Sequence, residues 1–385
     1  MTRIIRRGII LLLTGAMLTQ PALGAGPEVP GRSSLLMEKT TGTVLSQHNA
    51  HEQLAPASVT KIMTLLLIME AVDSGRLGWE DPVTASETAA AKGGSQVYLK
   101  AGEQMSVSDM VKAIAVSSAN DCACAMAEHL AGSEEAFVEQ MNEKAALLQM
   151  EDTHFVNCTG LDDGPEASAH RTSAWDVGLM SRELLLKHPG IKKFTTLWMD
   201  TLRDGTFGLS NTNKLVRFYP GATGLKTGYT SGAGFCLSAS AQREGMELIA
   251  VVLGAGSSRE RFGACRALLD RGFARYTLVS PQQPGEQSVP VILGKEPLVP
   301  AEPADRPGLL VEKARTGQLR QEIRLEPSVS APVSRGQRLG TLTLLAGEQI
   351  LARIPLVAAR EVQRLTFRDL WLETLRRASM GKKPE

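Results

Sequence analysis

The chain has 385 residues, 43% of them apolar and 22% charged, and a formal net charge of +1. That length supports one large domain with a smaller one beside it. The near-neutral balance gives no general affinity for nucleic acid. The histidines show no zinc-binding spacing, and the glycines form no phosphate-cradling loop. No metal, cofactor or nucleotide chemistry is therefore expected.

The N-terminus reads as a secretory signal. Arg3, Arg6 and Arg7 form its basic region and Ile9 to Leu18 its apolar region. Ala22-Leu-Gly24 offers small residues for cleavage. The apolar run is short for a bilayer span. Cleavage after residue 24 is the expectation, an uncleaved anchor the alternative, and either implies export.

Ser33–Glu38 and Thr43–His48 flank Thr40-Thr41-Gly42, which predicts a β-hairpin. Pro56 precedes an apolar helical run, Ile62 to Val72, ending near Gly75. Ser58-Val-Thr-Lys61 falls in its first turn, so Ser58 and Lys61 share one helix face. Residues 105–149 read as mostly helical, with Ser108-Asp109 as the cap of Met110–Val116. The pattern breaks at Ser117-Ser118, resumes at Asp121–Leu130 and continues from Glu134 to Gln149. Ser118-Ala-Asn120 thus lies on a turn between helices, where a pair exposed into a cleft would sit.

Lys226-Thr227-Gly228 lies among glycines and precedes two strand candidates, Phe235–Ala241 and Glu247–Leu253. Small residues there let a substrate backbone approach an edge strand. Arg259–Ala274 reads as an amphipathic helix. Seven prolines between 281 and 307 then mark a linker and short strands. Gln321–Leu325, Gly340–Leu345 and Gln349–Val357 complete a small β unit without a catalytic constellation.

The last 25 residues place Phe367, Leu370, Trp371, Thr374, Leu375 and Ala378 on one helical face, with basic residues around them. Such a helix suits a membrane interface; a helix docked on its own domain is the alternative. Five cysteines (Cys122, Cys124, Cys158, Cys236 and Cys265) leave at least one unpaired in an exported protein. Small buried apolar residues are the preferred reading of them.

The three motifs together describe a serine acyl-transfer centre without histidine. A serine hydroxyl needs a base to take its proton. Lys61 can serve if burial and a cationic neighbour, Lys226, lower its pKa. Ser118 would relay the proton, Asn120 would hold the substrate amide, and Lys226 with Thr227 would hold a carboxylate. Each motif alone is weak, and a second S-x-x-K occurs at Ser379–Lys382. Their order over about 170 residues carries the specificity.

Around these motifs stand Ala55-Pro-Ala-Ser-Val-Thr-Lys61, Ser118-Ala-Asn-Asp121, Asn157-Cys-Thr-Gly-Leu161 and Thr223-Gly-Leu-Lys-Thr-Gly-Tyr229. With these strings the chain resembles the serine-type D-alanyl-D-alanine carboxypeptidases, the low-molecular-mass penicillin-binding proteins, especially their sporulation-associated Gram-positive branch. The resemblance implies an α+β fold: a penicillin-binding domain with an antiparallel sheet, flanking helices and an all-helical subdomain, then a β domain and an amphipathic anchor. The expected division is a signal at 1–24, the catalytic domain at 25–278, the β domain at 279–360 and the anchor at 361–385. Ser58, Lys61 and Ser118 are the implied catalytic residues. Asn120, Lys226, Thr227, Gly228 and Tyr229 are the implied substrate contacts, with backbone N–H groups of Ser58 and Tyr229 as the oxyanion hole.

Two departures stand out. Tyr229 replaces the histidine found after K-T-G in some members, and Asn211-Thr-Asn-Lys214 lacks an arginine that some members carry upstream.

The expected reaction removes the terminal D-alanine from peptidoglycan pentapeptide stems at the outer face of the cytoplasmic membrane or in the wall. β-Lactams would act as covalent inhibitors. A D,D-endopeptidase or transpeptidase on the same scaffold is the enzymatic alternative, and a catalytically silent wall-binding protein the other. A β-lactamase is disfavoured, because no E-x-x-L-N-type glutamate lies between Asn120 and Lys226.

Overall fold

The computed structural model describes residues 30–282, 285 and 287–380. The proposed signal, and Lys382 and Lys383 of the tail, lie outside the described residues.

Two strands, β1 (Ser33–Glu38) and β2 (Val44–His48), form the expected hairpin. Its turn is held by Glu38, whose carboxylate accepts from the N–H groups of Thr40 and Thr41. The next element, α1 (Lys61–Asp73), is buried on nearly all sides. Its run of leucine, isoleucine and methionine carries no polar stripe, as a helix packed inside the protein requires. Around it stand α2 (Val107–Val116), α3 (Asn120–Ala131) and α4 (Glu134–Leu147). The cap of α2 is Ser106, whose Oγ accepts from Asp109 N–H at 3.2 Å, and not Ser108. The helix starts at Val107, three residues before the expected Met110, and Val107 is already buried.

After α5 (Ala174–Lys187) the chain forms three long strands, β3 (Ala222–Thr230), β4 (Gly234–Arg243) and β5 (Met246–Ala255), and then α6 (Ser258–Arg275). The sheet is antiparallel, in the order β2-β1-β5-β4-β3. One face packs on α1 and α5 through Leu35, Met37, Ile249 and Val251. The other packs on α6 through Leu36, Leu248, Ala250 and Leu268. Burial on both faces explains why β5 reads as a continuous apolar run rather than an alternating one.

The C-terminal part is β-rich. β6 (Tyr276–Val279) leaves α6 and pairs with β9 (Leu309–Glu312). Between them run β7 (Ser288–Ile292) and β8 (Leu298–Pro303). With β10 (Leu319–Leu325), β11 (Val329–Ser330), β12 (Arg338–Ala346) and β13 (Gln349–Ala358) they make a sheet in the order β10-β12-β13-β8-β7-β11. The final helix, α7, spans Phe367–Met380. Phe367, Leu370, Trp371 and Leu375 are 39–83% exposed, so this face is not docked on the β sheet. Among the described residues no helix is long and apolar enough to cross a membrane.

Candidate active site

Ser58 sits in a short 3-10 turn, Ala57–Thr60, one turn before α1 rather than within it. Ala57 adopts φ +49°, a left-handed conformation that kinks the chain out of Pro56. Lys61 is the first residue of α1 and fully buried. Its Nζ donates to Ser58 Oγ at 3.0 Å and to the carbonyl of Thr159 at 2.7 Å. Burial, which penalises the charged ammonium, brings its pKa down to about 7; Cys158 and Asp121 nearby act in the opposite direction.

Ser118 and Asn120 lie on the α2–α3 turn. Ser118 takes φ +67°, which ends α2 and swings the chain into α3. Both side chains are more than nine-tenths buried, unlike the open placement expected from the turn. Among the described residues the Ser118 hydroxyl and the Asn120 Oδ1 have no hydrogen-bond partner, whereas Asn120 Nδ2 donates to Gly93 O at 2.7 Å. Unmade bonds of buried polar atoms are costly.

Lys226, Thr227 and Gly228 occupy β3, the outer strand of the sheet, which packs on the Ser58 turn. A Cβ on Gly228 would come within 2.8 Å of Pro56 O and 3.1 Å of Ser58 N, so only glycine permits this approach. Lys226 is buried, with Nζ donating to the carbonyl of Thr227 at 2.9 Å. Burial, then the charges of Lys61 and Arg261, push it well below the usual lysine range. Burial is the cause that lowers Lys61, and the repulsion between the Lys61 and Lys226 charges adds to the burial that lowers Lys226.

The comparisons with known proteins agree along the chain. The model of the D-alanyl-D-alanine carboxypeptidase family matches residues 19–257, and that of the penicillin-binding protein 5 C-terminal domain matches residues 273–364. D-alanyl-D-alanine carboxypeptidase DacF of Bacillus subtilis is 41% identical, covering 94% of this chain and 96% of the relative. DacD of Escherichia coli K12 is 33% identical over 87% and 88%. The chain belongs to the D-alanyl-D-alanine carboxypeptidase family. Its activity is that of a serine-type D,D-carboxypeptidase. Penicillin-binding protein 5 from Haemophilus influenzae superposes with a TM-score of 0.73 at 27% identity, over 88% of this chain and 99% of that one. The ampicillin-bound form of penicillin-binding protein D2 from Listeria monocytogenes superposes with a TM-score of 0.56 at 30% identity, over 64% and 99%. The α+β architecture implied by the resemblance is the one observed.

Several parts of this carboxypeptidase centre lie outside the three motifs that carry Ser58, Ser118 and Lys226. Thr159 contributes a backbone carbonyl, held by Asn157, whose Oδ1 accepts from the N–H groups of Thr159 and Gly160 at 3.1 and 2.6 Å. Gly160 has φ +82°, and a Cβ there would fall 1.9 Å from Ala57 O. The Asn157–Leu161 string is the signal that marks this loop. Thr212 joins two walls: its N–H donates to Val116 O at 3.1 Å and its Oγ1 accepts from Thr227 Oγ1 at 2.7 Å. The stretch noted for its missing arginine is therefore a brace. An arginine does reach the strand, but from α6: Arg261 Nη1 donates to Gly228 O at 2.7 Å and to Cys236 O at 3.2 Å. All five cysteines are free and buried, as the apolar reading expects.

Proposed function

We propose that Ser58 is the nucleophile of the carboxypeptidase reaction and Lys61 its general base. The supporting observation is the 3.0 Å contact between Ser58 Oγ and a fully buried lysine with a pKa of about 7. Near neutral pH about half of such a lysine is uncharged and can accept the serine proton. Ser58 Oγ then attacks the carbonyl of the penultimate D-alanine of a peptidoglycan pentapeptide stem. The N–H groups of Ser58 and Tyr229 receive the oxyanion. Ser118, whose hydroxyl is free, passes the proton to the leaving D-alanine nitrogen. Asn120 holds the substrate amide through its unpartnered Oδ1. Lys226 and Thr227, with the charge of Arg261 behind them, hold the terminal carboxylate. Gly228 keeps the strand close enough for both ends of the substrate to be gripped. Water finally releases the peptide from Ser58.

A β-lactam presents the same acyl group and carboxylate, so it would acylate Ser58 and leave slowly. The ampicillin-bound form of the Listeria relative supports this reading. We assign residues 1–24 to export, 25–278 to catalysis, 279–360 to the β domain and 361–385 to an anchor that lies, through the helix Phe367–Met380, on the outer face of the cytoplasmic membrane. The exposed apolar residues of α7 support that placement. The leaving group is tested by comparing D-alanine release from diacyl-Lys-D-Ala-D-Ala with cleavage of a cross-linked stem dimer. Faster turnover of the dimer would favour an endopeptidase.

A further inference from the structure

Glu134 lies outside every motif, at the start of α4, yet it joins two walls of the site. Its side chain is 13% exposed. Oε1 accepts from the Cys158 N–H at 3.1 Å and from the Cys158 thiol at 3.2 Å. Oε2 accepts from Lys92 Nζ in a salt bridge, and from the Cys124 thiol at 3.8 Å. One residue past Cys158 is the Thr159 carbonyl, which accepts from Lys61 Nζ at 2.7 Å. One residue past Lys92 is the Gly93 carbonyl, which accepts from Asn120 Nδ2 at 2.7 Å. A single carboxylate thus stands two peptide units from the base and from the amide-holding asparagine. It also lines a groove of about 400 Å³ with Lys92, Gly93, Asn157 and Thr159.

We propose that Glu134 is a positioning residue for the Ser58 reaction, tying the loop that holds Lys61 to the loop that holds Asn120. The proposal rests on the assignment of Ser58 and Lys61 above. The groups facing Glu134 are Lys92, Cys124 and Cys158, with Glu128 behind Cys124 and Glu135 on the groove wall. Those acting on or beside Lys61 are Cys158, Asp121, Lys226 and His170. Without the carboxylate, the Cys158 N–H loses its acceptor, and Cys158–Thr159 is held through Asn157 and by Thr64 Oγ1, which donates to Cys158 O at 2.6 Å. Water then reaches the Lys61 ammonium, its pKa rises, and less neutral base is present at a given pH. The Lys92 arm acts separately, on the placement of Asn120 and hence on substrate binding.

The test uses the full chain and the variants Glu134→Ala, Glu134→Gln, Lys92→Met and Ser58→Ala. The rate of labelled-penicillin adduct formation is followed from about pH 5.5 to 9.5, and KM is measured for a diacyl-Lys-D-Ala-D-Ala peptide. Glu134→Ala should move the acid limb up by about one unit, slowing acylation about fivefold at pH 7. Glu134→Gln keeps an oxygen for the Cys158 N–H and should keep the wild-type limb. Lys92→Met should keep the limb and raise KM severalfold. A folded Glu134→Ala with the wild-type limb, or a Glu134→Gln limb shifted as far as that of Glu134→Ala, would overturn the tether. If Glu134→Ala does not fold, Lys92→Met with an unchanged KM overturns it. Absence of a wild-type adduct, or its survival in Ser58→Ala, would refute the nucleophile assignment instead.

Discussion

Lys61 Nζ lies 3.0 Å from Ser58 Oγ, inside a site that excludes water from the lysine and not from the serine. Because burial lowers the lysine pKa to about 7, the neutral base appears as pH rises through that value rather than near 10.5. Acylation by a β-lactam should therefore climb tenfold per unit below about pH 6 and level off above about pH 8. Lys61→Arg should lose about 10³-fold or more, since a guanidinium stays protonated throughout. Stopped-flow acylation across the pH range measures both.

Lys226 is pushed well below the usual lysine range by burial, by Lys61 and by Arg261. A substrate carboxylate arriving beside it favours the ammonium and raises that pKa again. Binding of a D-Ala-D-Ala peptide to Ser58→Ala at neutral pH should therefore take up a proton. Calorimetry in buffers of different ionisation enthalpy should give a net proton uptake. Zero uptake would mean that Lys226 is already charged in the free enzyme.

Gly228 stands where any side chain meets the backbone of Pro56 and Ser58. Gly228→Ala should push β3 away from the nucleophile turn. The expected result is a loss of at least about tenfold in acylation rate, with a destabilisation of about 1–3 kcal/mol from overpacking. Thermal melting and penicillin acylation, read together, check it. Unchanged acylation would show that the approach of β3 does not matter.

Helix α7 exposes Phe367, Leu370, Trp371 and Leu375 together. With residues 1–24 removed from both proteins, the longer chain should sediment with vesicles containing anionic lipid. The same chain ending at residue 366 should stay in the supernatant. Equal sedimentation of the two would remove the surface anchor.

The residues gathered around Ser58 were legible because they are side chains with letters: Lys61, Ser118, Asn120, Lys226 and Thr227. Groups that act through the backbone were not. A carbonyl such as that of Thr159 can belong to any residue, and only the fold brings it to Lys61. Arg261 lies one helix beyond β3 and becomes visible only when α6 packs on the sheet. The paired strands β10 and β12 were readable from their alternation, and β13 from the turn that precedes it. Helix α5 drew no reading, although Ser173 three residues before Asp176 is a capping signal, realised at 3.2 Å. The Ser118 turn was placed correctly, but its burial is a product of tertiary packing that sequence spacing does not reveal.

The account turns on Ser58 as the residue that carries the acyl group. Wild type and Ser58→Ala should be incubated with labelled penicillin, digested and mapped by mass spectrometry, with D-alanine release from diacyl-Lys-D-Ala-D-Ala measured in parallel. The predicted result is one adduct, on the peptide containing Ser58, and loss of both adduct and D-alanine release in the variant. An adduct on another residue, or D-alanine release persisting in Ser58→Ala, would contradict it.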